Sequence, residues 1–146
     1  MTISTKRQLL IGFSAVIVVS IAIIIAVQWG AVGSTKNRNH LYQELLERSG
    51  QLNRDLPKLL DRQTRFERAE VSNYGMRFVY SLVGVDRYQH DVESVREQLE
   101  PAMRSAFCSS DSLRYYRENA DFLEIRYLDR NEAKLFELRF TADDCK

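Results

Sequence analysis

The chain has 146 residues, of which 45% are hydrophobic and 28% charged, and its formal net charge at pH 7 is +1. That is enough for one domain of ordinary size, and too balanced for a nucleic-acid-binding stripe or a solvated acidic arm. Two cysteines are too few for a disulfide framework.

The average hides a division. Residues 9–29, LLIGFSAVIVVSIAIIIAVQW, are 21 positions without a charge. At about 1.5 Å per residue they reach roughly 30 Å, the hydrocarbon thickness of a bilayer. All 20 acidic residues follow this run, as do 19 of the 21 Lys and Arg. Lys6 and Arg7 before it, and Ala31-Val32-Gly33 after it, also suit a cleaved signal peptide. The run exceeds the roughly 7–15 residues of a signal core, however, so an uncleaved single-pass anchor is the favoured reading. Residues 1–8 are then a short N-terminus and the lipid bilayer is a partner. Ser14, Ala22, Ala26 and Gly30 share a small-residue register that suits a helix–helix contact in the membrane. Flanking charge leaves the orientation nearly tied, with Lys6 and Arg7 on one side and Lys36, Arg38 and Arg48 on the other.

Residues 30–40 are polar with two glycines and read as a linker to a domain over 41–146. In 41–61, Tyr42, Leu45, Ser49, Leu52, Leu56 and Leu59 recur at spacings of three and four. This is one helical stripe, packed on its own domain or serving as a short homodimer coil, with Pro57 kinking it or starting a new turn. Residues 64–72 form a strand of low amphipathicity, Asn73-Tyr74-Gly75 a turn, and 76–83 a clearly alternating strand with Met76, Phe78, Tyr80 and Leu82 on one face. Residues 91–107 return to helical period, capped by Asp91, with Pro101 predicting a bend. SLRYYREN suits a second short helix, whose adjacent Tyr115 and Tyr116 cannot share a face. FLEIRYLD and KLFELRFT make a final hairpin, turning near Arg130-Asn131, where Asn tolerates positive φ. The order α-β-β-α-(α)-β-β predicts an α+β fold, a small antiparallel four-stranded sheet with helices on one face.

Cys108 follows a helix and Cys145 the last strand, so a bond between them would fasten the chain end around a complete hairpin. Free thiols, a redox pair and a metal site are the alternatives. Redox pairs usually lie closer in sequence, and His40 and His90 have no ligand spacing. A disulfide would place the domain outside the cytoplasm. The topology is then a cytoplasmic N-terminus, an inner-membrane span and a periplasmic domain. No phosphate loop, nucleophile elbow or metal cluster is present in the sequence, and no cofactor is expected. Sixteen arginines against five lysines suit genomic composition, or a partner surface around Arg114, Tyr115, Tyr116, Arg117 and Arg126.

Leu56-Pro57, the Asp61-to-Thr64 step, the strand Phe78–Val83, Cys108 after a helix, Tyr127-Leu128-Asp129 before a turn and the terminal Asp144-Cys145 together resemble a broad group of small bacterial secreted or membrane-anchored proteins. The resemblance covers residues 52–146. It implies an extracytoplasmic location and a paired terminal cysteine, and it carries no activity. That group usually has Asp-x-x-Gly-Lys at the last turn, where this chain has Asp129-Arg130-Asn131-Glu132. The expected function is a non-catalytic accessory subunit of an envelope complex with a membrane or periplasmic protein partner and no nucleic acid. The alternatives are an immunity or inhibitor protein against a toxin, and an enzyme or small-ligand binder built on residues such as Arg77, Tyr80 and Arg126.

Overall fold

The structure is a computed structural model in which residues 34–146 are described. The segments 1–8 and 9–29 and the small-residue register Ser14, Ala22, Ala26 and Gly30 lie outside the described residues. Among the described residues no helix is long and apolar enough to cross a membrane. The sheet and the helical residues packed on it all belong to one compact unit, His40–Lys146.

Helix α1 runs Ser34–Asn53, so the expected linker is helical from Ser34 onward; no glycine or proline interrupts the sequence between Ser34 and Ser49. The helix also stops earlier than its stripe. Leu56 precedes Pro57 and is disfavoured in helical backbone, and the chain leaves through i→i−3 bonds from Arg54, Asp55 and Leu56. Leu45 is fully buried, Ser49 nearly so, and Leu41 and Leu52 pack beside them, whereas Leu59 is 63% exposed. The stripe therefore packs on its own domain over its first part only. Beyond it, the two-residue strand β1 (Lys58–Leu59) replaces the predicted last helical turn.

Strands β2 (Thr64–Ser72) and β3 (Gly75–Leu82) form the predicted antiparallel hairpin, with Ser72 opposite Gly75. Asn73 takes φ 52° in the turn, and Gly75 has no room for a side chain, since a Cβ there would lie 2.5 Å from the Phe122 ring. A register shift between Phe66 and Arg68 explains the weak alternation of β2. It lets Phe66 and Ala69, three apart, both reach the core.

Helix α2 (Val92–Ser109) is capped by Asp91, which accepts from the Glu93 amide at 3.3 Å and the Ser94 hydroxyl at 2.7 Å. It continues through Pro101. A 3₁₀ turn (Asp111–Leu113) and helix α3 (Arg114–Asn119) follow, then β4 (Leu123–Leu128), β5 (Lys134–Phe140) and a 3₁₀ turn (Ala142–Cys145).

The sheet has five strands in the order β1-β2-β3-β4-β5. It is mixed rather than antiparallel throughout, because β4 lies parallel to β3, with Met76 beside Leu123 and Ser81 beside Leu128. The long connection through α2 and α3 crosses over, which parallel pairing requires. Met76, Phe78 and Tyr80 of β3, Leu123, Ile125 and Tyr127 of β4, and Phe136, Leu138 and Phe140 of β5 form the core with Leu45, Phe107 and Tyr116 of the helices. The opposite face carries arginine and glutamate. There Glu124, almost inaccessible, accepts from Arg77 at 2.7 Å and Arg139 at 3.0 Å, and Val79, flanked across the strands by Arg68 and Arg126, is fully buried.

Candidate functional site

On the helix side, a groove of about 560 Å³ lies between α1, the segment after it, α2 and α3. Its floor is Phe66, Phe78 and Tyr80. Leu52 and Leu56 line one wall, and Met103, Leu113 and Tyr116 the other. The register shift in β2 is what turns Phe66 into this floor, where its ring meets those of Phe78 and Tyr80, each at 4.9 Å. Tyr116 stands edge-on to Phe78 at 5.6 Å. Burial pushes the Tyr80 phenol up to about 12, so it is uncharged at neutral pH.

Beside the groove, polar contacts tie the helices together. Tyr115 donates its hydroxyl hydrogen to Glu44 of α1, and the Arg48 guanidinium lies over the Tyr115 ring at 3.5 Å. Burial, then the hydrogen bond and charge of Glu44, push the Tyr115 phenol up to about 12 against the opposing Arg48. Arg117 closes the far end of α3 by donating to the Phe107 carbonyl at 2.6 Å. The result is a trough with an aromatic floor and aliphatic walls, whose lining also includes the charged side chains Arg48, Asp55 and Lys58 and the polar Gln51, Ser110 and Ser112. It suits an apolar or amphipathic segment of chain better than a polar substrate.

Of the residues predicted as a partner surface, four gather on or beside this wall. Arg114 is exposed and paired with Asp111 at 2.6 Å, Tyr115 and Arg117 bond to Glu44 and the Phe107 carbonyl beside the groove without lining it, and Tyr116 is a buried wall residue rather than a surface one. Arg126 does not join them. It lies on the opposite face of the sheet, bound to Glu137 at 2.7 Å. The ligand site imagined on Arg77, Tyr80 and Arg126 fails for the same reason, since Tyr80 faces the core while Arg77 and Arg126 point away from it. Sequence reasoning missed Phe66, Leu52, Met103 and Arg48 as neighbours. The helical period already signals Leu52 and Met103 as buried, but only the fold brings them together.

Cys108 and Cys145 are bonded, with Cα atoms 5.4 Å apart. The bond ties the last turn of α2 to the 3₁₀ turn at the chain end. Asp144 caps that turn, its carboxylate accepting from the Thr141 amide at 2.7 Å. His40 lies beside Glu44 at 3.6 Å and His90 beside the Asp86 backbone at 3.1 Å. Among the described residues no three His, Cys, Asp or Glu side chains stand together as metal ligands.

No family model matches the chain, and no curated protein matches it either. Solved structures do share its fold. One is a protein of Pseudomonas aeruginosa described as secreted, 13% identical over 75% of this chain and 96% of that one, with a TM-score of 0.65. A second is the pilotin EpsS of the Vibrio vulnificus type 2 secretion system, 14% identical over 77% of this chain and 98% of that one, TM-score 0.63. A third is the type II secretion system pilotin AspS of Vibrio cholerae, 17% identical over 77% and 99%, TM-score 0.61. At these identities the likeness is one of fold.

Proposed function

We propose that this protein is a non-catalytic accessory subunit of an envelope assembly, which receives an apolar segment of a partner protein in the groove between α1, α2 and α3. In this reading residues 9–29 hold it in the inner membrane and the disulfide-closed domain works on the periplasmic side. The groove carries the proposal: its floor is aromatic and its walls are largely aliphatic, with Arg48, Gln51, Asp55, Lys58, Ser110 and Ser112 completing the lining. Support comes also from the fold it shares with two pilotins of type 2 secretion systems, and from the Cys108–Cys145 bond, which suits an oxidising compartment.

The test isolates the full-length protein from native membranes in mild detergent, wild type beside Met103→Glu. Met103 lines the groove and is only partly buried, so the substitution charges the trough without emptying the core. A stoichiometric membrane or periplasmic protein is expected with the wild type and lost with the variant. No such protein, or equal retention by both, contradicts the proposal.

A further inference from the structure

We propose that β5 pairs antiparallel with the β5 of a second copy, joining two five-stranded sheets into one across a two-fold axis at Leu138. The two edges of the sheet are finished differently. On the β2 side, β1 contributes only two residues, preceded by Pro57, and the Asn53 side chain occupies the edge beyond it. Asn53 donates to the Ala69 carbonyl at 2.9 Å and accepts from the Ala69 amide at 2.8 Å, as a neighbouring strand would. That edge is closed to pairing.

Among the described residues the β5 edge has no such cover. It is seven residues long, KLFELRF, without proline or glycine. Among the described residues the contact to its backbone from outside the sheet is at Lys134, whose carbonyl accepts from Arg87 at 3.1 Å. The sequence of β5 is complementary to itself in one register. With Leu138 opposite its own copy, Glu137 stands opposite Arg139 of the second copy, and Phe136 opposite its Phe140; by symmetry each pair occurs twice. Phe136, Leu138 and Phe140 face the core, while Glu137 and Arg139 lie on the charged face, so every pair matches in side. A register centred on Glu137 sets glutamate against glutamate, and one centred on Arg139 sets arginine against arginine; both are unfavourable. A one-residue slip would bring core-facing and charged side chains to the same side. Arg139 gives one nitrogen to Glu124 and keeps more than half its side chain exposed, so donors remain for a second glutamate. The groove lies over β2 and β3, away from this edge, and stays open in both copies.

The test uses the full chain in detergent. Sedimentation over a range of concentrations is combined with hydrogen exchange of residues 135–140. Glu137→Cys and Arg139→Cys variants are then mixed under oxidation. Expected are a dimer, β5 amides that slow at least tenfold in the dimer relative to the diluted monomer, and a disulfide-linked pair formed by the mixture. A monomer at every concentration overturns the proposal. So does a dimer whose β5 amides exchange as in the monomer, with no linked pair, because self-association through residues before 34 or through the groove would leave the edge unprotected.

Discussion

Glu132 sits at φ 68° in the β4–β5 turn, a left-handed conformation that costs a non-glycine residue roughly 1–2 kcal/mol. What holds it there is Asp129. Its carboxylate accepts from the Asn131 amide at 2.8 Å and the Ala133 amide at 2.9 Å on one oxygen, and from the Arg87 amide at 3.0 Å on the other. The Arg87 amide, with those of Ala133 and Asn131 and the Arg130 charge, holds this carboxyl below the usual aspartate range against the effect of burial. The sequence placed the turn correctly but assigned positive φ to Asn131. The clue lay in the departure from Asp-x-x-Gly-Lys, because the glycine of that pattern falls on Glu132. Glu132→Gly is therefore expected to raise stability by about 1 kcal/mol, read as a higher urea midpoint with an unchanged slope; an equal or lower midpoint would mean the turn bears no strain.

Where an element alternates or repeats cleanly, its sequence was sufficient: β3, β4, β5 and α2 lie where period two and period 3.6 put them. Three features were not legible. The β2 bulge breaks the period that would reveal Phe66 and Ala69 as core neighbours. Strand β1 is too short to have a period. The parallel pairing of β3 with β4 is a property of the crossover, not of either strand. Asn53 gave no signal at all, since an asparagine at a helix end reads as a cap or a turn, and its bonds to Ala69 cross 16 positions. Asn53→Ala should leave the buried Ala69 amide and carbonyl without these partners and cost about 1–3 kcal/mol, with faster hydrogen exchange at Ala69. Unchanged exchange there would show that water replaces the side chain. The Cys108–Cys145 bond closes a span of 37 residues, and reducing it should lower unfolding free energy by about 4 kcal/mol in the chain-entropy picture. Urea denaturation with and without reductant measures this, and coincident curves would assign the bond no stabilising role.

Across the whole molecule, the two faces of the sheet titrate at opposite ends of the pH scale. On the charged face burial alone would raise Glu67, Glu70 and Glu137. Instead, hydrogen bonds from Ser81 and Arg65 to Glu67, from Arg68 and Arg77 to Glu70, and from Arg126 and Lys134 to Glu137, together with the arginine and lysine charges, hold all three below the ordinary value of 4.5. Their contribution to stability is present above 4.5 and is lost as pH falls below it through the folded-state values. On the core face burial raises Tyr80 to about 12 and raises Tyr127 as well. Their contribution is present below the ordinary phenol value of 10 and is lost as pH rises above it through the raised folded-state values. Denaturation curves across pH should show a plateau with both flanks falling; a flat acid flank would mean the surface pairs contribute nothing.

At the centre stands the claim that the helix-side groove is where a partner sits. The most direct measurement places a photo-crosslinking amino acid at Leu113, in the groove, and at Arg65, on the opposite face of the sheet, in the full chain expressed in its native cell. A single discrete protein adduct from Leu113 and none from Arg65 is the expected result. Adducts absent at Leu113, or the same from both positions, would contradict the claim.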